Sequence, residues 1–319
     1  MTIPPTHAQL GAALRSAAES ARRLGDAYRW RPEPGSTAET RWQSASGSDP
    51  LNLTLAEGEA HGVLLVRSAL EHTSAVATAI SSRRPFLPHS IGRTGLEHAL
   101  RAHHLLDPDE TPTVRAGRRL DEWLYAVTES GYRRIGIVKA GHPNSENLPD
   151  EEVMVERIRI RAVSLGMEMV KAGKAGYRVT QTGRASTMRL AESQLGAGGA
   201  GVPAFLIRNH AAVAHGVETG LLASAVDRID LDTGTNVPEP TIAEPPDLAY
   251  GLMCVPLAML NAVRALSLCL EWEESDSRWR DYTRDHARLI QTWERAVELS
   301  LDAVAPDRPR TGIFGDVHR

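Results

Sequence analysis

Apolar residues recur at three- and four-residue steps through most of this chain, and runs of β-branched residues are scarce. That spacing lays one apolar stripe along a helix, whereas a half-buried strand requires strict alternation. The stretch Leu55 to Ser81 illustrates it: Val63, Leu64, Val66, Leu70, Val76 and Ile80 fall on one side, and RRPFLP ends the run through proline. Ala, Leu, Arg and Glu, all good helix formers, dominate the rest. The expected fold class is therefore all-α, a multi-helix bundle.

The same reading divides the chain. A first helix is expected from Ala8 to Trp30, and RPEPGSTAETRWQSASGSDP after it reads as a linker. The helix SIGRTGLEHALRAHHLL stops at Asp107 and Pro108, and the next spans Thr113 to Ala140. LPDEEVMVERIRIRAVSLGMEMVKAG, acidic at its start and ending on lysine and glycine, matches the macrodipole of one long helix. GYRVTQTG reads as extended and STMRLAESQLG as a short helix. After the break GAGGAG, a helix is expected from Pro203 to Val226, then a connection from Asp227 to Asp247 able to form a small hairpin, then two closing helices and a loosely held tail from Pro306. Grouped coarsely, residues 1–54 form an N-terminal helix and linker, 55–226 the helical core, and 227–319 a connection with a C-terminal helical pair packed on that core.

Composition narrows the function classes. With 319 residues and a formal charge of −4, the chain has no global basic field, so any contact with a polyanion must be local. Its two cysteines, Cys254 and Cys269, lie in an apolar run, which fits core positions in a reducing compartment better than a disulfide framework. The stretch Ala249 to Leu270 is apolar but contains Asn261, Arg264 and Pro256, so it reads as a buried helix and not a membrane span. No secretory signal is visible at the N-terminus, and cytoplasm is the expected location. GAGGAG follows no strand, no Walker or GxSxG sequence occurs, and HExxH is absent, so no cofactor or metal is expected.

The run RNHAAVAHG carries the most chemistry. His215 follows Arg208 by seven positions, two helical turns with about 10 Å of rise, so a fixed cation and a titratable imidazole share one face. Metal-free RNA cleavage needs a base for the 2′-hydroxyl proton, a cation for the charge developing on phosphorus and an acid for the leaving oxygen, and a histidine that transfers protons near neutrality with an arginine that forks onto phosphate oxygens meets those needs. Asn209 is placed to orient either group, and Ala211, Ala212, Ala214 and Gly216 keep the face narrow.

This run resembles the signature of the HEPN superfamily, helical proteins whose motif is an arginine, often a polar residue, and a histidine after four to six intervening positions. Six intervene here. The upstream IGRTGLEHALRAHHLLDP extends the resemblance less specifically, over roughly residues 55–226. It implies a HEPN-like core with extra N- and C-terminal helices, metal-independent endoribonuclease activity of toxin–antitoxin or phage-defence type, a homodimer with a composite site, RNA as substrate and a protein inhibitor or antitoxin as partner. The chain departs from the pattern in its length and in its alanine-rich motif helix.

Other residues are candidates for support. Arg93, Glu97 and Arg101 recur at four-residue steps and can pair as a ladder, or Glu97 can face Arg208 and hold its guanidinium. Between residues 157 and 189, Arg157, Arg159, Arg161, Lys171, Lys174, Arg178, Arg184 and Arg189 meet one acid, Glu168. Of these, Arg157, Arg161, Lys171, Lys174 and Arg178 are the expected phosphate contacts, although the same charges serve equally as a solvated face. Three readings stand at this point: a ribonuclease; a non-catalytic interaction or scaffold protein in which Arg208 pairs with an acid and His215 is a core histidine; and a small-molecule binder with an apolar pocket beside His215.

Overall fold

The computed structural model describes residues 4–44, 49–139, 150–172, 176–181, 183–196, 202–215, 225–229, 236–273 and 276–304. Among them the chain is an all-α bundle of eleven helices with two small antiparallel hairpins. The helices are α1 (His7–Ala27), α2 (Thr37–Ser44), α3 (Pro50–Ser81), α4 (Leu87–Leu106), α5 (Pro112–Lys139), α6 (Glu151–Ser164), α7 (Thr187–Leu195), α8 (Val202–Ala214), α9 (Pro245–Leu252), α10 (Cys254–Cys269) and α11 (Ser277–Val304). The strands are β1 (Val170–Lys171), β2 (Tyr177–Arg178), β3 (Ala225–Ile229) and β4 (Asn236–Pro240). Val170 faces Arg178 in the first hairpin, and Ala225 faces Pro240 in the second.

Local chemistry sets the helix starts. Thr6 and Gln9 form a reciprocal capping box before α1, Asp49 caps α3 with Pro50 in the first turn, Asp150 caps α6, and Ser186 caps α7. Each satisfies amide donors that the helix itself leaves unpaired.

One large core joins α1, α3, α4, α10 and α11, with Leu14, Ile80, Leu100, Leu266 and Trp293 buried in it. The α3–α4 pair is its spine. A Cβ at Gly62 would stand 2.7 Å from Leu106, and one at Gly11 would stand 2.6 Å from the Ala77 carbonyl oxygen, so the bare glycines are what let α4 and α1 seat against α3. A second, smaller core, Leu120, Leu124, Val127, Ile158 and Ala162, lies between α5 and α6. Cys254 and Cys269 are free and buried.

Several boundaries differ from the sequence expectation. The linker after α1 contains α2, whose Trp42 donates its indole N–H to the buried Glu59 carboxylate at 2.8 Å. The long helix expected through Gly173 ends at Ser164, because Gly166 takes a φ of +69° and turns the chain into β1. The motif helix is described only to Ala214, and its expected last residues, Ala225 and Val226, lie in β3. The apolar stretch Ala249 to Leu270 is two helices, α9 and α10, bent by 45° at Met253. With α11 they make three closing helices where two were expected. No single helix among the described residues is long and apolar enough to cross a membrane, and the bent pair is buried in the core. Lys174, Gly216, residues 197–201 of the glycine break and the tail from Pro306 lie outside the described residues.

Candidate functional site

Helix α8 packs on α4 and α7 through Pro203, Ala204, Leu206, Ile207, His210 and Val213, all buried. The helical period then turns positions 205, 208, 212 and 215 away from the core. Arg208 and His215 are both exposed, and Asn209 is half-buried beside them. His215 sits just beyond the last residue of α8, its amide still bonded to the Ala211 carbonyl at 2.9 Å, so the helical path carries it to the same face as Arg208.

The motif contains a second histidine, and the two have opposite fates. His210 is fully buried, donates Nε2–H to the Gly251 carbonyl at 2.7 Å, and stands edge-on to His89 of α4 with ring centroids 5.2 Å apart. Burial pushes the His210 pKa down to about 4, and burial together with neighbouring His210 pushes His89 down to about 3. These two neutral rings belong to the α4–α8 seam. The core histidine of this motif is therefore His210, and the accessible one is His215.

Across that seam the Arg93 guanidinium meets His215, Nη1 donating to Nε2 at 2.5 Å. A guanidinium can only donate, so the ring nitrogen accepts. Arg93 lies one helical turn beyond His89 on α4, so the buried histidine pair and the exposed arginine–histidine contact are stacked in order from core to solvent. No ion pair or hydrogen bond joins the Arg208 guanidinium to another described residue, and α8 carries no acidic side chain.

Only one rung of the expected α4 ladder forms. Glu97 accepts from Arg101 at 3.1 Å, and Arg93 turns to His215. Glu97 does not hold Arg208: its carboxylate is taken by the Arg101 guanidinium, which lowers the Glu97 pKa against the opposing effect of burial. Arg101 itself is only 5% exposed, and its Nη1 donates to Glu122 of α5 at 2.8 Å. Arg184 donates to the other Glu122 oxygen at 2.9 Å and lies 3.5 Å above the Tyr125 ring. This buried cluster ties α4 and α5 to the segment entering α7.

The described cations of the basic segment are divided between internal partners and solvent. Arg159 pairs with Glu156, Arg161 bonds Thr54 at 3.2 Å, Arg178 donates to the Gln181 carbonyl, and Arg184 is held by Glu122. Arg157 and Lys171 remain exposed on different elements. Among the described residues no three His, Cys, Asp or Glu side chains gather in ligating geometry. The concavities beside Tyr28 and Trp42, along α1 and α11, and next to Trp30 have no α8 residue in their walls.

Sequence reasoning missed one member of this face. Phe205, one turn before Arg208, is 62% exposed, although its neighbours Leu206 and Ile207 are buried. The signal lay in the helical period, which places position 205 with 208 and 212 and opposite 206, 207 and 210. No family model, no curated protein and no solved structure matches this chain.

Proposed function

We propose that the protein is a HEPN-like endoribonuclease whose exposed α8 face binds and cleaves RNA without external cofactors. The observation that carries this reading is the accessible His215 ring, braced by Arg93 at 2.5 Å and aligned along the helix with Arg208, whose guanidinium has no partner among the described residues. Arg208 binds a phosphate oxygen through its fork. At rest the His215 Nε2 lone pair is occupied by Arg93. An incoming phosphate competes for that guanidinium, which moves to the phosphate and frees Nε2. The imidazole then takes the 2′-hydroxyl proton, the 2′-oxygen bonds to the adjacent phosphorus, and the bond from phosphorus to the 5′-oxygen breaks. The imidazolium returns the proton to the leaving 5′-oxygen, giving a 2′,3′-cyclic phosphate and a 5′-hydroxyl. Two guanidiniums stabilise the charge that develops on phosphorus, and Asn209 orients the strand. The homodimer, the toxin or phage-defence role, an inhibitory protein partner and a cytoplasmic location belong to the same proposal through the HEPN resemblance.

The test is cleavage of RNA in chelator by wild type, Arg208→Ala and His215→Ala. Loss of activity in both folded variants, with cyclic-phosphate termini in the wild-type product, is the expected result. Activity that persists in His215→Ala overturns it. The second reading, a non-catalytic interaction protein, is favoured by α6, where Val153, Ile160 and Val163 stand 51%, 57% and 60% exposed. It is the reading that survives if purified wild type cleaves no RNA.

A further inference from the structure

We propose that Phe205 is a stacking platform for an unpaired nucleobase, which makes the substrate of the α8 face a single-stranded RNA. This rests on the ribonuclease reading of Arg208 and His215. The Phe205 ring is 62% exposed on a helix whose Leu206, Ile207 and Val213 are buried, so most of its surface is open to a ligand. Arg208 follows Phe205 by three positions, about 4.5 Å of helical rise, and His215 by seven more, about 10 Å further. The face therefore presents a π-surface, a cation and a proton-transfer group in linear order. Ala211, Ala212 and Ala214 between them are half-buried or exposed and small, so a strand can lie close to the helix.

The charges select the occupant. Arg208 stands one helical turn from this ring, Arg93 stands at the His215 end of the same face, and α8 offers no acid. An apolar protein surface would satisfy the ring and leave both guanidiniums without anions. RNA supplies anionic phosphates and flat bases in alternation along one strand. Bases inside a duplex are paired and stacked on each other and have no free face for Phe205, whereas those of a single strand do.

Binding is measured by fluorescence anisotropy with a short 2′-O-methyl oligoribonucleotide, which cannot be cleaved, alone and annealed to its complement. A 2-aminopurine in the same strand reports stacking through quenching. The expected result is tight binding of the single strand, weaker binding of the duplex, a loss of about tenfold or more in Phe205→Ala with relief of quenching, and recovery in Phe205→Trp. If wild type binds neither strand nor duplex, the RNA reading itself fails and this inference with it. If wild type binds the single strand and folded Phe205→Ala binds equally well, only the stacking role is overturned. Light scattering covers the remaining occupant: a lower molar mass for Phe205→Ala at unchanged RNA affinity assigns the ring to a contact between two copies and overturns the inference.

Discussion

Arg93 and His215, 122 residues apart in sequence, are joined by a 2.5 Å hydrogen bond from the guanidinium Nη1 to the imidazole Nε2. The bond fixes more than a distance. It requires the ring to carry its proton on Nδ1, so the nitrogen that faces Arg93 is the basic one. A helix end that would otherwise leave its histidine free to rotate is thereby tied to α4, and α4 is anchored in the main core by Leu96 and Leu100.

That tautomer is open to measurement. Long-range proton–nitrogen correlation spectra at pH 8 should assign His215 to the Nδ1–H form in wild type and to a mixture in Arg93→Ala. If the variant cleaves RNA at all, its kcat should fall by about 100-fold, the scale for removing one preorganised donor. An unchanged ring-nitrogen pattern in Arg93→Ala would show that the contact does not orient the imidazole.

How much of this was legible beforehand follows from the physics of each feature. Helical periodicity is local, so α4, α5 and the end of α3 emerge from the sequence nearly at their true bounds, whereas α3 starts at Pro50, five residues before the expected Leu55. The end of α6 depends on the positive φ of Gly166, and the bend at Met253 on how α9 and α10 pack, neither of which a periodic pattern encodes. Arg208 and His215 share a face for a reason internal to one helix. Which partner Arg93 chooses is a tertiary matter: on α4 alone, Glu97 is an equally good neighbour, and only the approach of α8 brings the imidazole into reach. The partners of the basic segment are tertiary for a related reason, since sequence counts charges while the fold gives Arg184 to Glu122, Arg159 to Glu156 and Arg178 to a backbone oxygen.

The Arg101–Glu122 pair supplies the next prediction. Both side chains are 6% exposed, and their other polar atoms are engaged by Glu97 and Arg184. Removing one member leaves a buried charge without its partner, so Glu122→Ala and Arg101→Ala should each destabilise by about 3–5 kcal/mol. The double variant Arg101→Met with Glu122→Leu removes both charges and fills the space, and should be markedly more stable than either single variant. Urea denaturation of the three proteins checks the ordering. Additive losses in the double variant would mean that the pair acts as two independent hydrogen bonds and not as a desolvated ion pair.

Acid should weaken this fold well above the range in which carboxylates titrate. Burial lowers the pKa of His61, His98 and His103, and takes His89 to about 3, His104 to about 4 and His210 to about 4. In the unfolded chain these rings titrate near 6.5. The sign follows directly: between about 6.5 and 4 the unfolded state binds protons that the native state refuses, so stability is whole above 6.5 and is lost as pH falls. Glu59 and Asp121, raised by burial, act in the opposite direction, but the depressed histidines outnumber them. Each strongly depressed ring contributes up to about 1.4 kcal/mol per pH unit inside its window. Urea midpoints at pH 7.5, 6 and 5 should therefore drop steeply below 6.5, and His210→Gln should flatten that slope while lowering stability at pH 7.5, because the substitution disturbs the hydrogen bond to Gly251. A midpoint that stays constant from pH 7.5 to 5 would show that these rings take up protons as readily in the native state as in the unfolded chain.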